Sequence, residues 1–239
     1  VVTGTGANIT GTANVTGNIT GNSLIASTLL YSSRFIESPY PIVAPLKILN
    51  KGTGALTSIT SAIATGSFPQ GLAVDPSGRF VYVTNRNSDT VSQYSINQST
   101  GELTSITTAI ATGAFPTAVA VDPSGRFAYV TSYTASTISQ HSINQSTGVL
   151  TSITSTIASP QNTNQIAVDP SGRFVYAVGY SSGTVGQYSI NQSTGALTSI
   201  TTAIAAGTNP NTIAIDPSGR FVYVTNGTSN TVSQYSINQ

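Results

Sequence analysis

The chain has 239 residues, of which 6% are charged, with a formal net charge of +1 and no Cys, Met or Trp. Soluble domains carry roughly 25% charged residues, so the polar surface here is built from other groups: 70 Ser and Thr and 17 Asn. This balance excludes thiolate metal sites and disulfides and offers no basic field for nucleic acid. No apolar run approaches the roughly 20 residues that span a bilayer. The composition suits an extracellular or cell-surface protein, and no cofactor is expected.

Taken in chain order, residues 1–22 come first. Val1, Ala7, Ile9, Ala13, Val15 and Ile19 occupy odd positions, while even positions apart from Val2 hold only Gly, Thr and Asn. Such period-2 alternation predicts a half-buried strand, with too little apolar surface to stay ordered alone. We read it as an extended N-terminal β-arm, set apart from a domain over 23–239. Within that domain, 23–30, 34–36, 42–49 and 56–64 read as strands A to D of a diverged first unit, loosened by Pro39, Pro41 and Pro45.

A 47-residue repeat then takes over. DPSGRF occurs four times, at 75–80, 122–127, 169–174 and 216–221, and SINQSTG begins at Ser95, Ser142 and Ser189. In one unit, 71–74 is a short apolar strand and Asp75-Pro-Ser-Gly has the chemistry of a tight turn. Residues 79–84 and 90–96 alternate like strands around a loop at 85–89. A turn at 97–101 leads to a Thr-rich strand over 103–111. Four short strands in each repeat of this length describe an all-β protein, a β-propeller of four-stranded blades. A solenoid is the structural rival.

Here the residues carry a resemblance. Phe80-Val-Tyr-Val-Thr-Asn85 and Phe221-Val-Tyr-Val-Thr-Asn226, preceded by Asp-Pro-Ser-Gly, resemble YVTN-type β-propeller repeats. Those repeats occur in cell-surface propellers and in the seven-bladed lactonase group. The resemblance implies the fold, and it names lactone hydrolysis as one activity the fold hosts. Lactonases of this kind use charged and His residues in the central channel, and few are present here.

Counting strands gives five blades, the first diverged and the last (212–237) lacking its outer strand. Two other counts are a four-bladed ring closed by 56–64 and a piece of a larger propeller. An unpaired edge invites a strand. Donated in cis, the arm closes the ring; donated in trans, it joins neighbours head to tail into a filament. The arm's surplus length favours the second arrangement. The expected partner is therefore the protein itself, with glycans as a further class and with neither nucleic acid nor a membrane span.

Chemistry is sparse. The turn pairs Asp75/Arg79, Asp122/Arg126, Asp169/Arg173 and Asp216/Arg220 read as fasteners of each hairpin and not as a fourfold site. Arg86 and Asp89 share a loop and read as a weak surface pair. His141, the only histidine, takes the place of Tyr94, Tyr188 and Tyr235 and reads as a packing residue. Tyr133 and Tyr180, in the loops after the second strands, are candidate ligand contacts. Asn8, Asn14, Asn18, Asn97, Asn144, Asn191 and Asn226 head N-x-S/T sequons and are candidate glycosylation sites. No catalytic or metal site is expected. On these grounds the chain reads as a non-enzymatic structural or adhesive propeller, possible filament subunit and glycoprotein, with a lactonase-like enzyme and a carbohydrate-binding propeller as the alternatives.

Overall fold

The computed structural model describes residues 54–238. The arm and the strands expected at 23–30, 34–36 and 42–49, on which the five-blade count rests, lie outside the described residues. Every regular element among the described residues is a β-strand. The first sheet holds β1 (Pro69–Val74), β2 (Phe80–Asn85), β3 (Thr90–Ile96), β4 (Leu103–Ser105) and β5 (Ile110–Ala111). The second holds β6 (Pro116–Val121), β7 (Phe127–Ser132), β8 (Thr137–Ile143), β9 (Leu150–Ser152) and β10 (Ile157–Ala158). The third holds β11 (Thr163–Val168), β12 (Phe174–Gly179), β13 (Thr184–Ile190), β14 (Leu197–Ser199) and β15 (Ile204–Ala205), and the fourth β16 (Pro210–Ile215), β17 (Phe221–Asn226) and β18 (Thr231–Ser236).

Each sheet is an antiparallel meander. The first strands β1, β6, β11 and β16 lie side by side in that order, so the sheets fan around a common axis as propeller blades and not as solenoid coils. Buried residues collect between neighbouring sheets. Phe80, Tyr82 and Val91 meet Val119, Ala128 and Val130 across the first gap, and Phe127 and Tyr129 meet Ile166 and Val175 across the second. Each buried Val, Ile or Phe among them contributes about 1.5–3 kcal/mol by leaving water.

Two expectations are corrected. The outer strand is not one run over 103–111, because it splits into β4 and β5, both paired with β3. Buried Gln93 explains the break: its Nε2 donates to the Thr108 carbonyl at 3.2 Å, holding the bulged segment. Its Oε1 accepts the Leu150 N–H of the next sheet at 2.7 Å, and Gln140 makes the same pair of bonds to Ser155 and Leu197. Residues 56–64 form no strand at all. The edge of β3 is already taken by β4 and β5, and among the described residues β18 pairs only with β17, so a four-bladed ring closed by 56–64 is not formed.

The repeated motifs resolve into fastenings. Tyr82 donates to the Gly148 carbonyl of the next sheet at 2.7 Å, and Tyr129 does the same to Gly195 at 2.8 Å. Gly148, at φ 76°, sits where a Cβ would come within 2.3 Å of the Phe80 ring, so only glycine admits that ring. Thr84 accepts the Gly71 N–H at 2.7 Å, satisfying a donor freed where β1 slips register against β2. Asn85 accepts the Gly66 N–H at 3.1 Å and donates to Thr90 and Ser92.

Candidate functional site

The turns at one end of the sheets are scaffolding. Asp75 accepts from the backbone N–H groups of Arg79 and Phe80, both at 2.7 Å, and from the Ser77 hydroxyl. Asp169 and Asp216 hold their turns alike, and Asp122 accepts from Phe127 at 2.7 Å and from Ser124. The arginines do not close onto these carboxylates. Arg79 Nε donates to Ser77 Oγ at 2.8 Å and its guanidinium lies over the Phe80 ring; Arg126, Arg173 and Arg220 repeat this. The expected contact between the pair is relayed through serine, because backbone and hydroxyl donors, four of them at Asp75, already surround the acid.

Burial alone raises the Asp75 carboxyl, but hydrogen bonds from Ser77, Phe80 and Arg79 outweigh it and the net shift is downward. The Ser218 hydroxyl, assisted by the N–H groups of Phe221, Arg220 and Ser218, brings Asp216 to about 2 against a smaller opposing effect of desolvation.

The other end differs. Residues 47 apart on the first strands, Gln70, Thr117, Asn164 and Asn211, line an axial cavity of about 280 Å³. Asn164 donates its amide to Asn211. Above them a pocket of about 180 Å³ is lined by Gln70, Arg86, Thr117, Tyr133, Asn164 and Tyr180. Arg86, Tyr133, Tyr180 and Gly227 are one station of the repeat. Each is pegged by its N–H to the carbonyl of the residue before the first strand of its own sheet: Phe68, Phe115, Asn162 and Asn209, at 2.8–3.1 Å. Those four pegs all have φ between 53 and 56°.

That conformation is common for Asn and strained for Phe. The two phenylalanines are nonetheless placed there, half-exposed, beside Arg86. Its guanidinium stands 5.8 Å from the Phe68 ring, 5.3 Å from Phe115 and 5.7 Å from Tyr133. Its Nε is buried without a partner. Asp89, expected to pair with Arg86, instead accepts the Phe115 N–H at 2.8 Å. Among the described residues the mouth thus offers one cation, framed by rings, above amides and hydroxyls. It suits a carboxylate, a phosphate or a carbonyl developing negative charge, on a small molecule rich in hydroxyls.

Tyr133 and Tyr180 do reach this site. Gln70, Asn164, Phe68, Phe115 and the role of Arg86 were missed, although aligning the repeat at 86, 133, 180 and 227 exposes the one cation. Glu102 lies in a turn at the opposite end, accepting from Thr100. His141 is buried between strands, and burial lowers it to about 4. Asn97, Asn144 and Asn191 are exposed and cap their turns, each accepting two N–H groups. Asn226 is corrected: it is 2% exposed and its amide nitrogen donates to Thr231 and Ser233, so it is closed to glycosylation. Asn8, Asn14 and Asn18 lie outside the described residues. Among the described residues no group of three His, Cys, Asp or Glu gathers to hold a metal, and no helix is long and apolar enough to cross a membrane.

Fold and site together define a β-propeller with a polar pocket on its axis. The family model for the seven-bladed β-propeller lactonases matches the chain in overlapping stretches, 26–116, 48–165, 108–210 and 161–239, and the chain belongs to that family. Similar solved structures include a putative 6-phosphogluconolactonase from Bacteroides uniformis (19% identity, TM-score 0.66, covering 72% of this chain and 51% of that one). The periplasmic gluconolactonase of Pseudomonas aeruginosa matches at 20% identity and TM-score 0.62, covering 71% of this chain and 50% of that one. A protein from Lactobacillus plantarum matches at 21% and 0.69, covering 78% and 58%. The chain thus spans about half the length of these structures, and among curated proteins none matches it in sequence. Membership in a lactonase family overturns the reading as a non-enzymatic structural or adhesive subunit built for filaments. Its non-enzymatic part rested on the scarcity of charge, and its filament part on the N-terminal arm and the outer strand that the last blade lacks.

Proposed function

We propose that the protein binds a small hydroxylated lactone at the Arg86 mouth and opens its ring with water. The observation that carries this reading is the guanidinium itself, fixed among three rings with an unpartnered buried Nε, above an amide-lined cavity. In this reading the lactone carbonyl accepts from Arg86, and ring hydroxyls engage Gln70, Thr117 and Asn164. Water adds to the carbonyl carbon, and the oxyanion that forms is held by the guanidinium. The ring C–O bond then breaks. The ring oxygen leaves as an alcohol, taking up one of the two protons of the water; the other is released to solvent, and the acyl carbon becomes a carboxylate still paired with Arg86.

No carboxylate or imidazole lines the mouth among the described residues, so acceleration here rests on charge stabilisation and positioning. Sugar δ-lactones, which open readily in water, match so lightly equipped a site. The test is the rate at which gluconolactone and 6-phosphogluconolactone disappear, followed by hydroxylamine trapping against the buffer rate. Saturable acceleration of either supports the reading. A wild-type rate equal to buffer for both overturns it.

A further inference from the structure

The second sheet departs from its sisters along one seam. On the face shared by β7 and β8, Ser132 lies opposite Thr137, Val130 opposite Ser139 and Ala128 opposite His141. The same stations in the first sheet are Asn85 and Thr90, Val83 and Ser92, Val81 and Tyr94. There every polar group is used, since Asn85 bonds Gly66, Thr90 and Ser92, and the Tyr94 hydroxyl donates to the Ala64 carbonyl at 2.7 Å. Asn226 and Tyr235 repeat that network in the fourth sheet, and Tyr188 donates to Ala158 at 2.9 Å in the third.

In the second sheet three of these residues are smaller: Ser for Asn, Ala for Val, His for Tyr. The consequence is confined to this place. Ser132 Oγ, Thr137 Oγ1, Ser139 Oγ and both ring nitrogens of His141 are buried without a hydrogen-bond partner. Gly113, from the segment entering β6, packs on the same spot, where a Cβ would meet Ser132 Oγ at 2.5 Å and Thr137 Oγ1 at 3.0 Å.

Among the described residues, the strands packed about the imidazole bring no charge to balance it. Strands β5, β7, β8, β9 and β10 contain no Asp, Glu, Lys or Arg. In the nearby loops, Arg86 is held over the Phe68, Phe115 and Tyr133 rings and Asp89 is bonded to the Phe115 N–H. A buried imidazolium without an anion is costly, and opening to water is the remedy.

We propose that the seam between the first and second sheets is an acid-operated joint, closed while His141 is neutral and opened when its imidazole takes a proton. The sign follows from the depressed imidazole: the open form binds the proton near pH 6.5 and the closed form only near 4. Closure is therefore complete above about 6.5 and is lost progressively as pH falls towards 4, by about tenfold in the opening constant per pH unit.

Hydrogen-exchange protection factors, corrected for intrinsic pH dependence, test this on the full chain between pH 7 and 4. The expected result is a fall of about tenfold per pH unit in β7 and β8 of the wild type, with β12 and β13 unchanged. His141→Tyr, which installs the residue of the sister sheets, removes that fall. His141→Phe, with no hydrogen-bonding atom, must remove it as well, and it serves if the tyrosine variant does not fold. A fall that persists in the variants, or one spread evenly over all four sheets of the wild type, overturns the joint.

Discussion

The two ends of these sheets are made from the same 47-residue unit and handle it in opposite ways. At the turn end every copy reads Asp-Pro-Ser-Gly-Arg-Phe, and every copy turns its carboxylate onto the serine hydroxyl and the Phe N–H. At the mouth end the corresponding station reads Arg, Tyr, Tyr and Gly, while the backbone peg beneath it stays constant. Where the unit is copied faithfully it makes structure, and where one copy departs it makes a site. Four Asp–Arg repeats carry eight of the fifteen charges and none of the candidate chemistry. A single unrepeated arginine carries it.

The sharpest way to break this comparison is Arg86→Gln. Losing this cation at the mouth is expected to lower lactone opening by roughly 100-fold, in the range for removing a fixed oxyanion partner. Thermal stability should hardly move, because the buried Nε has no hydrogen-bond partner to lose. An unchanged rate with the wild type active would move the chemistry away from Arg86.

The converse holds at the turn end. Asp169 is fully buried and accepts from Ser171, Arg173 and Phe174. Asp169→Ala strands those donors and should cost about 3 kcal/mol in urea unfolding, with the lactone rate per folded molecule unchanged. Acid probes the same fastening without mutation. Because the Asp75 and Asp216 carboxyls are depressed in the fold, their contribution is complete above the ordinary value of 3.8 and is lost as pH falls towards 2. Urea midpoints should therefore decline between about pH 4 and 2, a window distinct from that of His141. Asp216→Asn should flatten part of this lower window.

The propeller class was legible because turn chemistry and strand alternation are local properties, and each was written four times. The strand over 90–96 coincides with β3. The split outer strand was not legible, since nothing in Leu-Thr-Ser-Ile-Thr announces that Gln93, one strand away, will take the Thr108 carbonyl. Arg86 was misread for a related reason. Its neighbour in sequence is Asp89, but its neighbours in space are rings from two crossings, 18 residues before it (Phe68) and 29 after it (Phe115). His141 was read as a packing residue, and it does pack; that its two nitrogens go unpartnered, where Tyr94 and Tyr188 reach a carbonyl, was not legible.

The smallest expected effect sharpens the comparison most. Phe115 holds φ 56°, where the same station in later copies is Asn162 or Asn209. A bulky residue in that region costs about 1–3 kcal/mol, and Asn relieves much of it by bonding locally. Phe115→Asn should therefore stabilise the protein by about 1 kcal/mol, a rise of a few degrees in Tm. It also removes the ring that stands nearest the guanidinium, at 5.3 Å. If the strain is kept for the site, the variant should melt higher and open lactone more slowly, by a several-fold rise in KM as Arg86 loses its frame. A variant both more stable and equally active would mean that Phe115 is a remnant of the repeat and that the frame rests on Phe68 and Tyr133. The two measurements together thus decide whether the departure from Asn at this station belongs to the site or only to the scaffold.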